Sequence, residues 1–314
     1  MHDRTHPSGY RRHVVVTTLS GVLLLPMTAA AQSPDRIDLP PGWAPEGITT
    51  DGTSLFVGSL ANGAIWRGDP ASAEGSVLVD GAEGVVAVGV EYEPGARRLW
   101  VAGGDTGQVR AYDSESGELL ATYPFEAGFV NDLVATPEAV YATDSFMPQV
   151  LVMPLGEDAA LPDADETQVL PLSGDLEYGE GFNVNGIVAT PAGLIVVHSA
   201  NGELFRVDAA TGESARIDIG AADLGGGDGM ELDGQRLHVV RNSADLVVTL
   251  QLDEAVSTAT EVATRASDDF DVPTTAGLVG SDLWIVNARF GTEAAPETEY
   301  WLTRLPTDQV TEEY

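Results

Sequence analysis

The 314-residue chain contains neither cysteine nor lysine, and all 15 of its basic residues are arginine. Without cysteine it folds without disulfide bonds, and it offers no thiol nucleophile and no thiolate ligand for a metal. Its 49 acidic residues give a formal net charge of −34. Such a surface repels nucleic acid and anionic membranes and attracts cations, so we expect neither a nucleic-acid nor a membrane partner.

Outside the N-terminus, the sequence has no apolar run long enough to span a bilayer. At the N-terminus, two adjacent arginines precede an apolar stretch over 14–27, and Ala29-Ala30-Ala31 follows as a small-residue cleavage site. This pattern predicts a secretory signal peptide over residues 1–31, cleaved near Ala31/Gln32, and hence a secreted or periplasmic protein. The paired arginines leave both the general secretory and the twin-arginine export routes open.

Helix-forming patterns are few in the rest of the chain, whereas short apolar runs bounded by Gly, Asp, Asn or Pro recur. Such runs are typical of buried strands. The six clearest are Leu55-Phe56-Val57, Leu99-Trp100-Val101-Ala102, Val140-Tyr141-Ala142, Leu194-Ile195-Val196-Val197, Leu237-His238-Val239-Val240 and Leu283-Trp284-Ile285-Val286. Each belongs to a unit of roughly 40 to 54 residues, with room for four strands. The pattern predicts an all-β fold, a six-bladed β-propeller of four-stranded blades over residues 32–314.

The last unit is one strand short, because its final strand signal ends near Leu305. The mature N-terminus supplies a spare strand, Arg36-Ile37-Asp38-Leu39. Pairing of this strand with the last blade would close the ring and remove two exposed sheet edges. In the third unit, the segment Leu155–Gly181 is rich in Asp, Glu, Pro and Gly. It predicts a long surface excursion between blades, either a spacer without fixed structure or a lid.

Four short motifs occupy the same place in the repeat, just before strand-forming runs: Pro45-Glu46-Gly47, Val130-Asn131-Asp132, Val184-Asn185-Gly186 and Gly227-Asp228-Gly229. Radial stacking of the blades would bring their side-chain oxygens together on one axis, which predicts a metal site. Two carboxylates and two amide oxygens suit Ca²⁺, which accepts about six to eight oxygens in loose geometry. Mg²⁺ demands stricter geometry and Zn²⁺ prefers nitrogen or sulfur, so the residues favour Ca²⁺ and leave other divalent cations open.

The ends of the second strands are expected to share one face of the ring with these motifs. They contribute Ser59, Asp144, His198, Arg241, Asn242 and Asn287. His198 is the one histidine expected near the mouth, either as a proton shuttle or as a packing residue. Arg241 and Arg289 either orient an anionic substrate or neutralise nearby carboxylates. Three aromatic residues either wall the mouth or pack between sheets: Phe146, Phe290 and Trp301.

Together, the units resemble the senescence-marker-protein-30, gluconolactonase and luciferin-regenerating family of six-bladed propellers, with paraoxonases as more distant relatives. The similarity is carried by Pro45-Glu46-Gly47, Asn131-Asp132, the stretch from Asn185 to Asp208, and Asp228-Gly229-Met230. The resemblance implies that four residues hold one divalent cation, usually Ca²⁺, and that the aspartate is also the general base. Carried onto this chain, the ligands are Glu46, Asn131, Asn185 and Asp228, and the base is Asp228.

The sequence departs from that family at two places. Phe129 and Val130 stand where sugar-specific members carry an arginine that grips the substrate, so sugar lactones fit this chain poorly. Val88-Gly89-Val90 fills the region in which paraoxonase-type lactonases rely on a histidine.

The expected activity is hydrolysis of a moderately apolar lactone or ester by a monomeric, calcium-dependent enzyme. A cation would polarise the carbonyl and stabilise the oxyanion, and Asp228 would deprotonate the attacking water, with His198 as a second catalytic candidate. The main alternative is a non-catalytic propeller in which the metal pins the ring and the disc face binds a ligand or protein. A strictosidine-synthase-like ligase is a weaker alternative, because it would not need the metal set.

Overall fold

The computed structural model describes residues 33–307 together with Met1, His2 and Gly9. The predicted signal peptide and its cleavage site fall on a segment that lies, apart from those three residues, outside this description. Backbone contacts divide the chain into two units, Met1–Gln32 and Ser33–Tyr314. Within the described residues, no helix has the length and apolar character needed to cross a membrane.

Residues 33–307 form six separate β-sheets. The first strand of each sheet contacts the first strands of the neighbouring sheets until the circle closes, so these strands surround an axis. These inner strands are β2 (Pro45–Thr50), β6 (Val90–Glu93), β10 (Val130–Ala135), β15 (Val184–Thr190), β19 (Gly227–Asp233) and β23 (Pro273–Val279). The predicted six-bladed propeller is confirmed.

Further strands follow outward in each blade, each antiparallel to the one before it. The second strands are β3 (Leu55–Ser59), β7 (Arg98–Ala102), β11 (Ala139–Asp144), β16 (Gly193–His198), β20 (Arg236–Arg241) and β24 (Asp282–Asn287). The third are β4 (Ile65–Gly68), β8 (Gln108–Asp113), β12 (Gln149–Pro154), β17 (Glu203–Val207), β21 (Leu246–Leu252) and β25 (Trp301–Pro306). The fourth are β1 (Arg36–Asp38), β5 (Gly75–Val79), β9 (Leu119–Pro124), β13 (Gln168–Pro171), β18 (Glu213–Ile217) and β22 (Ala259–Arg265).

The core lies between the blades, where both faces of the second strands are covered. All residues of β3, β7 and β11 are buried, which explains their continuous apolar sequence. Trp100 and Trp284 are the largest fully buried side chains. By contrast, the outer strands β5 and β9 are mostly exposed, because they form the rim of the ring.

The ring closes as the sequence predicts, with β1 paired antiparallel to β25. Ile37 in β1 is fully buried, so the closure is also a packing contact. Trp301 lies at this closure, with the guanidinium groups of Arg36 and Arg289 at 4.2 and 5.0 Å from its ring centroid. It therefore does not contribute to an apolar wall at the mouth, and of the two interpretations of Trp301 only packing agrees with the structure.

Small residues beside the motifs allow neighbouring blades to approach closely. A Cβ atom at Gly47 would overlap the carbonyl oxygen of Val88, and one at Gly186 would overlap that of Asp228. A Cβ at Gly229 would lie 2.6 Å from the hydroxyl of Thr275. Glycine is therefore required at these positions because the inner strands nearly touch one another.

The Leu155–Gly181 excursion is part of the ring rather than a spacer without fixed structure. It contains β13 and a short strand β14 (Ser173–Gly174), which adds to blade 4 in parallel with β18. A 3-10 turn at Glu157–Ala159 is held by Arg98, which donates to the carbonyl of Ala159. A second 3-10 turn, Asn242–Ala244, follows β20 in blade 5.

Candidate metal centre and its cavity

All four predicted ligands line one cavity at the axis, with a volume of about 570 Å³. Its other lining residues are Leu60, Val88, Phe129, Glu180, Gly181, Phe182, Ser199, Ala200, Gly226, Asn242 and Phe290. Glu46, Asn131, Asn185 and Asp228 are each at most 7% exposed. The structure therefore brings together four oxygen-bearing side chains that are up to 182 residues apart in sequence.

Each predicted ligand lies at a β-bulge in its inner strand. The pairing with the second strand shifts between Pro45 and Ile48 in blade 1, and at the equivalent step in blades 3, 4, 5 and 6. A bulge bends the strand and redirects the side chain within it. The fifth bulge, in blade 6, carries Thr274, whose hydroxyl donates to the carbonyl of Glu46 at 2.7 Å. Thr274 therefore supports the blade that carries Glu46.

The two asparagines are oriented by serines fourteen residues further along the chain. Asn131 donates from its side-chain nitrogen to the hydroxyl of Ser145 at 2.9 Å, and that hydroxyl donates onward to the carbonyl of Val184 at 2.7 Å. Asn185 donates likewise to Ser199 at 3.2 Å. Because each serine hydrogen is already used on a carbonyl, the serine can only accept from the asparagine. Each amide therefore keeps its oxygen free of the serine and available as a ligand.

The two carboxylates of the set interact with each other inside the cavity. Burial raises the pKa of Glu46 well above its usual range, and the negative charges of Asp228 and Asp132 raise it further. Burial also raises the pKa of Asp228 to about 7, against hydrogen bonds from Asn242 and Asn185 that lower it. Two buried carboxylates without a bound cation disfavour ionisation, so a divalent cation between them would relieve the electrostatic cost.

Three further carboxylates lie along the axial channel, and sequence reasoning missed them. Glu91, Asp132 and Glu231 line a second cavity of about 240 Å³. Burial is the main cause that raises their pKa values, to about 8, 7 and 8 respectively. Neighbouring carboxylates raise the pKa further for Glu91 and Glu231. In the sequence these three residues look like ordinary polar residues of a strand. They share one channel only because the closed ring brings their inner strands together.

Neither cavity has a basic residue among its described lining residues. Arg241 is held at the edge of the site by Asp223, to which it donates at 2.8 Å, and it also donates to the carbonyl of Gly225. Arg289 similarly donates to Asp271 at 2.8 Å. Of the two interpretations of these arginines, pairing with nearby acidic groups therefore agrees with the contacts.

His198 ends β16 next to Ser199, but it is not among the residues that line the cavity. It is 3% exposed, and burial lowers its pKa, which favours the neutral ring. The ring packs edge-on against Tyr178 at 6.5 Å between centroids. These contacts describe a packing residue behind the site, which was one of the two interpretations of this histidine.

Aromatic side chains form one side of the cavity. Phe129 and Phe182 line it, and Phe146 packs against both rings. Phe290, which follows β24 in blade 6, also lines the cavity, three blades further round the ring. Sequence reasoning had named Phe146 and Phe290 but missed Phe182, because it follows the acidic excursion rather than an apolar run.

The donor set fits a hard cation and not a soft one. Within residues 33–307, no three His, Cys, Asp or Glu side chains converge in a way that could hold a metal ion. The predicted set has only two such carboxylates, and its remaining oxygens come from asparagine amides. This composition matches Ca²⁺ better than Zn²⁺, since Ca²⁺ readily uses neutral oxygens and waters.

The sequence matches no family model and no curated protein sequence. The fold does match solved structures. The major allergen Mala s 1 of Malassezia sympodialis superposes with a TM-score of 0.69 at 17% identity, covering 88% of this chain and 97% of that one. Virginiamycin B lyase from Staphylococcus aureus gives a TM-score of 0.59 at 10% identity, covering 86% and 98%. At such identities the likeness shows the propeller fold alone.

Proposed function

We propose that this protein is a calcium-dependent hydrolase of the senescence-marker-protein-30 and gluconolactonase type, which opens a lactone or an ester. One observation carries the proposal. Glu46 and Asp228 are buried in the same axial cavity beside two asparagines whose amide nitrogens are already bound to serines. A cavity with this donor set and no basic lining residue has the electrostatic character of a cation site.

In this proposal, Glu46, Asn131, Asn185 and Asp228 hold the cation, and water or substrate completes its shell. A Ca²⁺ ion held there would supply Lewis-acid polarisation of the substrate carbonyl and would stabilise negative charge on its oxygen. The four side chains come from four blades, so the rigid ring fixes their relative positions. Ser145 and Ser199 fix the orientation of the two amides, which preorganises the site.

Asp228 is the proposed general base. Asn242 donates to its Oδ2 atom at 3.1 Å and so fixes the orientation of the carboxylate. Asp228 removes a proton from a water molecule, whose oxygen forms a bond to the substrate carbonyl carbon. The carbon–oxygen bond of the lactone or ester then breaks, and the departing oxygen takes the proton, which leaves a hydroxy acid, or an acid and an alcohol.

We also propose that residues 1–31 are removed as a signal peptide and that the protein works as a monomer outside the cytoplasm. A Ca²⁺ site with only two carboxylates agrees with this setting, since sites with few charged ligands bind Ca²⁺ weakly and calcium concentrations are high outside cells.

The direct test is hydrolysis of a panel of aliphatic, aryl and sugar lactones by the purified mature chain, first with Ca²⁺ and then with EDTA. Turnover that needs Ca²⁺ supports the enzyme. The second candidate, a binding module, is favoured by the convergence of four blades on the site, because a metal there would pin the ring. Absence of turnover together with a Ca²⁺-dependent rise in melting temperature would overturn the hydrolase and support that module.

A further inference from the structure

Three phenylalanine rings at the cavity mouth pack on one another; Phe129 is partly buried, and the other two are substantially exposed. The centroid distances are 5.3 Å between Phe129 and Phe182 and 4.8 Å between Phe146 and Phe182. Phe146 is 46% exposed and Phe182 is 44% exposed. Exposed aromatic rings clustered at a concave site are typical of contacts with a ligand. We call Phe129, Phe146 and Phe182 the aromatic wall.

A single buried carboxylate holds the two loops that carry Phe129 and Phe146. Asp144, the last residue of β11, is fully buried. Its side chain accepts hydrogen bonds from the backbone nitrogens of Phe129 and Phe146, both at 3.0 Å. It also accepts from the backbone nitrogens of Gly128 and Met147, at 2.8 and 3.1 Å. Asp144 therefore ties the loop before β10 to the loop after β11, and the contact between the two rings depends on it.

The third ring is held separately. Asn183, which is 1% exposed, accepts from the backbone nitrogen of Gly179 at 2.6 Å and donates to the carbonyl of Gly181 at 2.8 Å. It thereby closes the turn that presents Phe182. The hydroxyl of Tyr178 donates to the backbone carbonyl of Asp144 at 2.8 Å, which links this turn to the first two loops. The three loops that carry the aromatic wall are thus fixed to one another by hydrogen bonds.

The charges around the aromatic wall restrict what can bind beside it. Glu180 lies at the mouth, Glu46 and Asp228 lie deeper, and no described lining residue of this cavity is basic. Among the lining side chains, an anionic group would find no basic partner and would meet Glu180, whereas an uncharged apolar group would bury its surface against the rings.

We infer that the aromatic wall determines substrate specificity by receiving an uncharged apolar group attached to the lactone or ester, and that Asp144 is the positioning residue for this wall. The inference rests on the proposed function and gives it a substrate class. The reacting carbonyl faces the four predicted ligands, and the apolar substituent extends toward Phe129 and Phe182.

The test compares γ-butyrolactone, which has no substituent, with γ-nonalactone, which carries a five-carbon chain. We expect the wild-type KM to be about tenfold lower for γ-nonalactone, because each buried methylene contributes to binding. Phe182→Ala should remove most of this difference, because it should raise the KM for γ-nonalactone far more than the KM for γ-butyrolactone. Leu120→Ala is the matched control, because Leu120 is 42% exposed on β9, remote from the cavity.

Asp144→Asn tests the positioning role, because an amide nitrogen would now face backbone donors. We expect the KM for γ-nonalactone to rise about tenfold relative to the KM for γ-butyrolactone. A purely structural role would change the kinetics of both substrates together. If Asp144→Asn does not fold, Phe182→Ala alone tests the role of the aromatic wall. If wild type and Phe182→Ala showed the same preference for γ-nonalactone over γ-butyrolactone, the inference about the aromatic wall would be overturned. The hydrolase proposal would not be affected.

A binding measurement tests the aromatic wall independently of whether the protein is a hydrolase. The ketones cyclopentanone and 2-pentylcyclopentanone have the same ring size but cannot be hydrolysed, and calorimetry measures their affinities directly. Tighter binding of the pentyl ketone that is lost in Phe182→Ala supports the aromatic wall even without turnover. Equal affinities, or no binding of either ketone, would overturn it.

Discussion

Asn242 and Asp228 lie on neighbouring strand ends of blade 5 and are joined by a hydrogen bond of 3.1 Å from the amide nitrogen to the carboxylate. The same offset of fourteen residues joins Asn131 to Ser145 and Asn185 to Ser199. In each of these three blades, a residue just beyond the second strand orients a predicted ligand at the bulge of the inner strand. The same local arrangement therefore positions three of the four predicted ligands.

Asn242→Ala should reduce the activity of Asp228 as a general base while leaving the residue in place. Loss of this amide donor leaves the carboxylate with the hydrogen bond from Asn185 and removes one of the two contacts that lower its pKa. We expect kcat for the best lactone to fall about tenfold, with the overall fold unchanged. Steady-state kinetics at saturating Ca²⁺ measure this effect. Unchanged kcat in Asn242→Ala would show that Asp228 does not need this orientation.

Ser145→Ala should weaken the metal site through Asn131. The serine accepts from the amide of Asn131 and donates to the carbonyl of Val184, so its loss frees the amide to rotate. Residues that orient a ligand typically change metal affinity about tenfold or more. We expect a rise of about tenfold in the Ca²⁺ dissociation constant by calorimetry. Ser76→Ala, at an exposed position on β5, is the matched control and should change nothing.

Glu91→Gln should change the pH dependence of stability. Burial raises the pKa of Glu91 from 4.5 to about 8, so the folded protein binds this proton more tightly than the unfolded chain does. Between these values, unfolding releases the proton, and the free energy of unfolding falls as the pH rises. Glutamine removes this dependence and should stabilise the protein on the order of 3 kcal/mol at pH 8 and little at pH 4.

The measurement for Glu91→Gln is denaturant unfolding in EDTA at both pH values. Glu118→Gln, at an exposed position immediately before β9, controls for loss of one negative charge from a very acidic protein. Equal stabilisation at pH 4 and pH 8 would mean that ionisation of Glu91 does not cost stability.

Ile37→Ala should weaken the ring closure and leave the cavity intact. Ile37 is fully buried where β1 pairs with β25, and truncation of a buried isoleucine typically costs about 3 kcal/mol. We expect a lower melting temperature with unchanged Ca²⁺ affinity. If Ca²⁺ affinity also fell, the closure and the site would be coupled rather than independent.

The fold could be predicted from sequence because its signal is repeated. Six apolar runs at similar spacing, and the spare strand around Ile37, leave few arrangements other than a closed ring. The four predicted ligands could be recognised because they occupy one place in that repeat. Their convergence in one cavity follows from blade stacking, which the repeat itself implies.

Other features could not be predicted, because they depend on contacts distant in sequence. Glu91 and Glu231 are 140 residues apart, and only the closed ring brings them to one channel. Phe182 joins the aromatic wall because Asn183 closes its turn, whereas Trp301 is held by two arginines elsewhere. Pairing of β14 with β18 likewise has no sequence signal, since β14 is only two residues long.

The most direct test of the central proposal is calorimetric titration of the metal-free mature protein with Ca²⁺, for wild type and for Asp228→Asn. We expect one Ca²⁺ per chain in the wild type and a loss of at least about a hundredfold in affinity in the variant, which lacks one of the two buried carboxylates of the predicted set. No Ca²⁺ binding by the wild type, or equal affinity in Asp228→Asn, would contradict it.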